Sequence, residues 1–69
     1  MTNTKLLEEL IEKSGLKKSY IAKAIGLSAY GFAKKIRNES EFKTSEINGL
    51  CEILHIKSLE EKELIFFAV

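Results

Sequence analysis

The sequence predicts an all-α chain folded as a compact five-helix bundle. Proline is absent from its 69 residues, and the apolar residues recur at intervals of three and four, the spacing that lines one face of a helix. Between the apolar runs stand Gly15, Gly26 and Asn38, residue types that accept the left-handed conformation in which helices commonly end. No repeat, linker or low-complexity tract divides the chain, so residues 1–69 are expected to form one domain, near the small end of what folds without a metal or disulfide.

Each helix can be justified in turn. Leu6, Leu7, Leu10 and Ile11 form the first stripe. Thr2, Asn3 or Thr4 can cap its start, and Gly15 can end it, with Leu16 closing a Schellman-type contact. A second helix is expected from about Lys18 to Ile25, with Ile21, Ala22 and Ile25 inward; Gly26 ends it and Leu27 folds back onto the core. Ser28 caps a third helix whose buried face is Ala29, Phe32, Ala33 and Ile36, at i, i+3, i+4 and i+7. Asn38 stands where that helix should stop, and Glu39 to Lys43 reads as a loop with Phe42 plugged into the core. A fourth helix from about Thr44 to Leu54 buries Ile47, Leu50, Cys51 and Leu54. The form Ser58-Leu-Glu-Glu61 then resembles a capping box that opens a fifth helix carrying Leu59, Leu64, Ile65, Phe66 and Phe67.

Charge is balanced overall but sorted along the chain. Eleven basic and ten acidic residues leave a net charge of +1, and the pI of about 7.8 is below the value above ~9 that marks strongly basic DNA-binding domains. Yet Lys17, Lys18, Lys23, Lys34, Lys35 and Arg37 lie in a stretch without Asp or Glu, while acids gather at Glu8–Glu12 and Glu60–Glu63. Any attraction to nucleic acid must come from that basic island. The single cysteine excludes an internal disulfide and fits a reducing compartment. The N-terminus lacks a signal-peptide pattern, and the longest apolar run, 64–69, is too short to span a bilayer, so a cytoplasmic protein is expected.

The stretch Lys18 to Ile36 carries the functional signal. Two short helices joined by a tight glycine turn, with small Ala22 inside the first, have the build of a helix-turn-helix. Ile21-Ala22, the Gly26-Leu27-Ser28 turn and Phe32…Ile36 resemble that motif in the Cro and phage-repressor superfamily. Ile36-Arg-Asn-Glu-Ser-Glu-Phe42 resembles the loop after the recognition helix in small phage regulators of Gram-positive bacteria, with Asn38 where glycine is usual. Ser45-Glu-Ile, Cys51-Glu-Ile-Leu54 and Ile65-Phe-Phe67 follow the same pattern. The resemblance covers nearly the whole chain. It implies a lambda-repressor-like domain, closest to the Cro-like or modulator-of-repression proteins of temperate phages, which oppose an immunity repressor inside the bacterial host.

On that resemblance the base-reading positions match Ser28, Ala29, Tyr30 and Lys34. Readout in the major groove relies chiefly on Arg at guanine and Asn or Gln at adenine, and none of these types is present there. Lys34 could reach guanine, Ser28 a base or phosphate, and Tyr30 could stack or donate its hydroxyl; Ala29 could touch a thymine methyl or be buried. Gly31 costs about 1 kcal/mol against alanine in mid-helix, which points to close approach by another surface or to a tolerant position. Lys17, Lys18, Lys35, Arg37 and Asn38 are the candidate contacts to phosphates or to an acidic partner, the alternative being an ordinary solvated face. Four to six such contacts would give a log–log salt slope of roughly −0.9 each.

The apolar ending leaves two arrangements open. Ile65, Phe66 and Phe67 could form an exposed interface, or Leu64 and Phe67 could pack inward. His55 beside Cys51 falls short of the three or four ligands a metal needs, so no metal, cofactor or catalytic residue is expected; Cys51 reads as core packing and His55 as a cap on the last carbonyls of the fourth helix. Two modes of action remain: a dimeric regulator docking the Ser28–Ile36 helix on double-stranded operator DNA, or an antirepressor that engages the phage immunity repressor in a heterocomplex.

Overall fold

The computed structural model describes residues 1–67. It contains five helices, α1 (Thr4–Ser14), α2 (Lys18–Ala24), α3 (Ala29–Ile36), α4 (Thr44–Ile53) and α5 (Leu59–Phe66), and no strand among the described residues. Its radius of gyration is 10.7 Å, close to the ~11 Å of a compact chain of this length. The expected order of elements and their boundaries agree with this to within a residue or two.

Local chemistry sets the ends. The Asn3 side chain accepts the Leu6 N–H, Ser28 Oγ that of Gly31, and Ser58 Oγ that of Glu61, each satisfying a donor that the first helical turn leaves orphaned. At the other ends the chain turns through left-handed residues: Gly15 (φ 72°), Gly26 (φ 80°), Asn38 (φ 63°) and His55 (φ 57°). Three of these are full Schellman turns. Leu27 donates to Ala22 O, Glu39 to Lys34 O and Ile56 to Cys51 O, with Gly26, Asn38 and His55 closing the inner bond. At Gly15 the expected Schellman contact is not made: the Leu16 N–H goes to Ser14 Oγ, and Leu16 stays exposed. His55 thus caps α4 with its backbone.

One core draws on every helix. Leu7, Ile11, Ile21, Ala22, Phe32, Ile36, Ile47, Leu50, Ile65 and Phe66 are buried together, joined by Phe42 and Ile56 from the connections. Phe42 sits between Phe32 and Phe66 in two edge-to-face contacts, with centroids 6.1 and 5.8 Å apart; such pairs add about 1 kcal/mol each beyond the area they bury. Ala29, expected on the buried stripe, is exposed: it is the first residue of α3 and overhangs the core that Phe32 and Ile36 fill. Cys51 and Leu54 are only half-buried.

Gly49 is the close-approach position that periodicity does not reveal. A Cβ there would lie 2.8 Å from the γ2 methyl of Ile25, where α4 crosses the end of α2. That methyl hangs directly on a branched Cβ and cannot swing away cheaply. Gly49→Ala is therefore expected to destabilise the fold by about 1–3 kcal/mol, the usual cost of overpacking, despite its gain in helix propensity. Urea denaturation checks this, and adding Ile25→Leu, which lacks the γ2 methyl, should recover part of the loss.

Candidate functional site: the exposed surface of α3

The short connection 25–28 sets α3 against α2 and leaves the start of α3 on the surface. Ser28, Ala29 and Tyr30 are exposed, Tyr30 at 71 %, and Gly31 and Lys34 are half-buried. Lys34 Nζ lies 5.7 Å from the centroid of the Tyr30 ring, a cation–π pair worth up to about 1 kcal/mol at an exposed site. The Ser28 hydroxyl already accepts the Gly31 N–H at 3.0 Å, so toward a ligand it has its O–H left to donate. Beyond its chain neighbours and its own helix backbone, an added Cβ at Gly31 would meet Ser28 Oγ, at 3.2 Å. The fold itself therefore presses on this glycine only through the cap, and the surface beyond is open.

Tyr20, on α2, is 58 % exposed, although the sequence pattern gives it no role. Its signal was its absence from the Ile21–Ala22–Ile25 stripe. Ser28, Tyr30 and Lys34 come from one helix and its cap, as the sequence implies.

The flanking contacts fare differently. Lys35, a candidate phosphate contact, is turned inward: its Nζ lies 2.6 Å from Glu46 Oε1, and the two side chains are only 11 % and 9 % exposed. The same carboxylate oxygen accepts the Lys43 N–H at 2.8 Å, capping the start of α4. Burial alone would raise the Glu46 carboxyl, but the hydrogen bonds from Lys35 and from the Lys43 backbone, with the charges of both lysines, outweigh it and hold the group below its ordinary value.

Asn38 is likewise no surface contact. Its Oδ1 accepts the Thr2 N–H and its Nδ2 donates to the Thr2 carbonyl, both at 2.9 Å, with a further bond to Thr4 Oγ1 at 3.3 Å. The amide behaves as a piece of backbone paired with Thr2, which is itself buried. Thr4 Oγ1 in turn donates to the Ile36 carbonyl at 2.7 Å, satisfying an acceptor at the end of α3.

Lys18 and Arg37 are exposed but engaged, Lys18 with Glu8 and Arg37 with Glu39, both at 2.7 Å. Among the described residues, Lys17, Lys23 and Lys34 have no carboxylate partner. The basic island of the sequence is therefore half neutralised within the chain.

The candidate apolar interface also needs correction. Ile65 and Phe66 are buried, at 1 % and 2 % exposure, whereas Leu64 and Phe67 face outward. The reason is geometric: the Ile65 carbonyl receives the Asn3 N–H, and Phe66 closes the aromatic contact with Phe42, so the opposite side of α5 must point to solvent. Ala68 and Val69 lie outside the described residues.

The Cys51 thiol is pushed up by burial, against the opposing charge of Lys62, which leaves it a weak nucleophile. No group of three or more His, Cys, Asp or Glu side chains gathers to hold a metal among the described residues. No helix there is long and apolar enough to cross a membrane. Comparison with known protein families, with curated proteins and with solved structures finds no match to this chain.

The Lys35–Glu46 pair yields a pH prediction. Because the folded-state pKa of Glu46 is depressed, its contribution is present in full above the ordinary value of 4.5 and is lost as pH falls through the lower folded value. Glu46→Gln keeps an oxygen that can accept from Lys35 and from the Lys43 N–H but removes the charge opposite Lys35, and should cost about 1–3 kcal/mol at neutral pH. It should also flatten the fall in melting temperature on acidification. Thermal melts of both proteins from neutral pH down to about pH 3 read both effects.

Proposed function

We propose that this chain is a small regulator of a temperate phage's lysis–lysogeny switch, built on a helix-turn-helix formed by α2 and α3, and that it acts through the immunity repressor as much as through operator DNA. The observation that carries this reading is the mismatch between shape and chemistry at α3. The helix is presented on the surface, with Tyr30 and Lys34 outward. It offers no Arg, Asn or Gln at the exposed reading positions, and of the six cations of the basic stretch Lys35 is buried against Glu46 while Lys18 and Arg37 stand in exposed pairs with Glu8 and Glu39. A reader of bases needs bidentate side chains, and strong non-specific binding needs free cations. Both are scarce here, which supports a shared or indirect role over autonomous sequence recognition. The resemblance to Cro-like and modulator-of-repression proteins supports the same setting.

Gel shifts on the neighbouring promoter region, with and without the repressor, test the proposal. The chain alone should bind operator DNA weakly, with a log–log salt slope between about −3, from Lys17, Lys23 and Lys34, and about −4.5 if phosphates also displace the acids paired with Lys18 and Arg37. Calorimetry with the repressor's DNA-binding domain should show a complex with a Kd near or below about 10 μM. Tight, sequence-specific binding by the chain alone, lost in Lys34→Ala, would point instead to an ordinary dimeric repressor. Absence of any repressor complex would remove the antirepressor role.

A further inference from the structure

The outward side of α5 combines large apolar side chains with acids. Leu59, Leu64 and Phe67 are 69 %, 62 % and 56 % exposed. Leu59 and Glu63 stand four residues apart on one row of the helix, with Phe67 following at its end; Glu60 and Leu64 form the next row. Large apolar side chains therefore alternate with acids over two neighbouring rows. Beside them a groove between α4 and α5 is lined by Thr44, Ile47, Leu59, Lys62, Glu63 and Phe67.

The charges on this face are one-sided. Glu60, Glu61 and Glu63 are exposed and form no ion pair among the described residues. Lys62, half-buried, is turned toward Asn48 Oδ1 at 3.3 Å. Covering Leu59, Leu64 and Phe67 means drawing these carboxylates partly out of water, which costs free energy unless the covering surface brings cations to them. An apolar or acidic partner is penalised; one with an apolar patch ringed by Lys and Arg is favoured.

We infer that this α5 face, rather than α3, is where the chain holds its protein partner, and that the partner surface is basic with an apolar centre. The inference rests on the repressor reading above. A repressor's DNA-binding domain is a protein of the required charge, since the surface that meets phosphates is cationic.

Calorimetric titration of the full chain with the repressor's DNA-binding domain tests this, using Leu64→Lys, the pair Glu60→Lys with Glu63→Lys, and the pair Tyr30→Ala with Lys34→Ala. The Leu64, Glu60, Glu63 and Tyr30 positions are exposed, and far-UV circular dichroism confirms that each variant folds. Both α5 variants should lose about tenfold or more in affinity, while the α3 variant stays within about twofold. The charge-reversed variant should also lose the salt dependence of binding. Loss confined to the α3 variant overturns the inference and leaves the repressor reading standing. No complex with the unaltered chain overturns both. Self-association of the unaltered chain that Leu64→Lys abolishes, with repressor affinity unchanged, overturns the inference by making this face a contact between copies.

Discussion

Five helices averaging under ten residues cannot each hold themselves together, because isolated helices of that length are marginal in water. They depend on a single core, in which Phe42 links the middle of the chain to its last helix. It comes from the loop between α3 and α4, and it bridges Phe32 on α3 to Phe66 on α5 by two edge-to-face contacts. Its position requires the chain to leave α3 sharply, which Asn38 permits by adopting φ 63°. Asn38 then spends its side chain on Thr2 and Thr4, so the same residue that turns the chain also fastens the first residues against the end of α3. Asn3 continues the tie through its N–H to Ile65 O. Both ends of the described chain and its middle loop thus meet around one aromatic cluster.

The electrostatics follow from that geometry. Turning the chain at Asn38 brings Lys35 and Glu46, eleven residues apart, into a buried pair, and places Glu39 within reach of Arg37. Packing α1 near α2 does the same for Lys18 and Glu8. The two exposed pairs contribute little to stability, of order 0–1 kcal/mol, and a strong anionic ligand could exchange with either acid. Lys35 is different: releasing it would leave Glu46 buried without its cation. Sequence clustering of positive charge therefore overstates the field the folded surface presents.

Much of the fold was legible because its signals are local. Ser28, Ser58, Gly15 and Gly26 act within a turn or two of themselves, and Asn38 does so as a backbone residue. The remainder is set by contacts between distant elements. Nothing in the spacing of Lys35 or Asn38 distinguishes a surface contact from a tertiary bond, because the partners Glu46 and Thr2 are 11 and 36 residues away. Gly49 carries no local signal of the close approach of Ile25. In α5 the run 64–67 is apolar on all sides, so helical periodicity cannot say which residues turn inward; the Asn3–Ile65 bond and the Phe42–Phe66 contact decide it.

The outward side of α5 is best understood through the limits of a small domain. A chain of this size buries only about 60 % of its surface, so one side of its last helix must face solvent, and any polar residue would serve there without cost to the core. Leu59, Leu64 and Phe67 occupy those positions although Ile65 and Phe66 already complete the packing. Side chains left more than half exposed contribute little to folding while inviting non-specific association. The unpaired acids interspersed among them limit that association to surfaces able to supply cations. On α3 the outward residues are Tyr30, a lysine and small side chains, and on α5 they are larger apolar side chains interspersed with acids, so the two exposed helices are suited to different contacts.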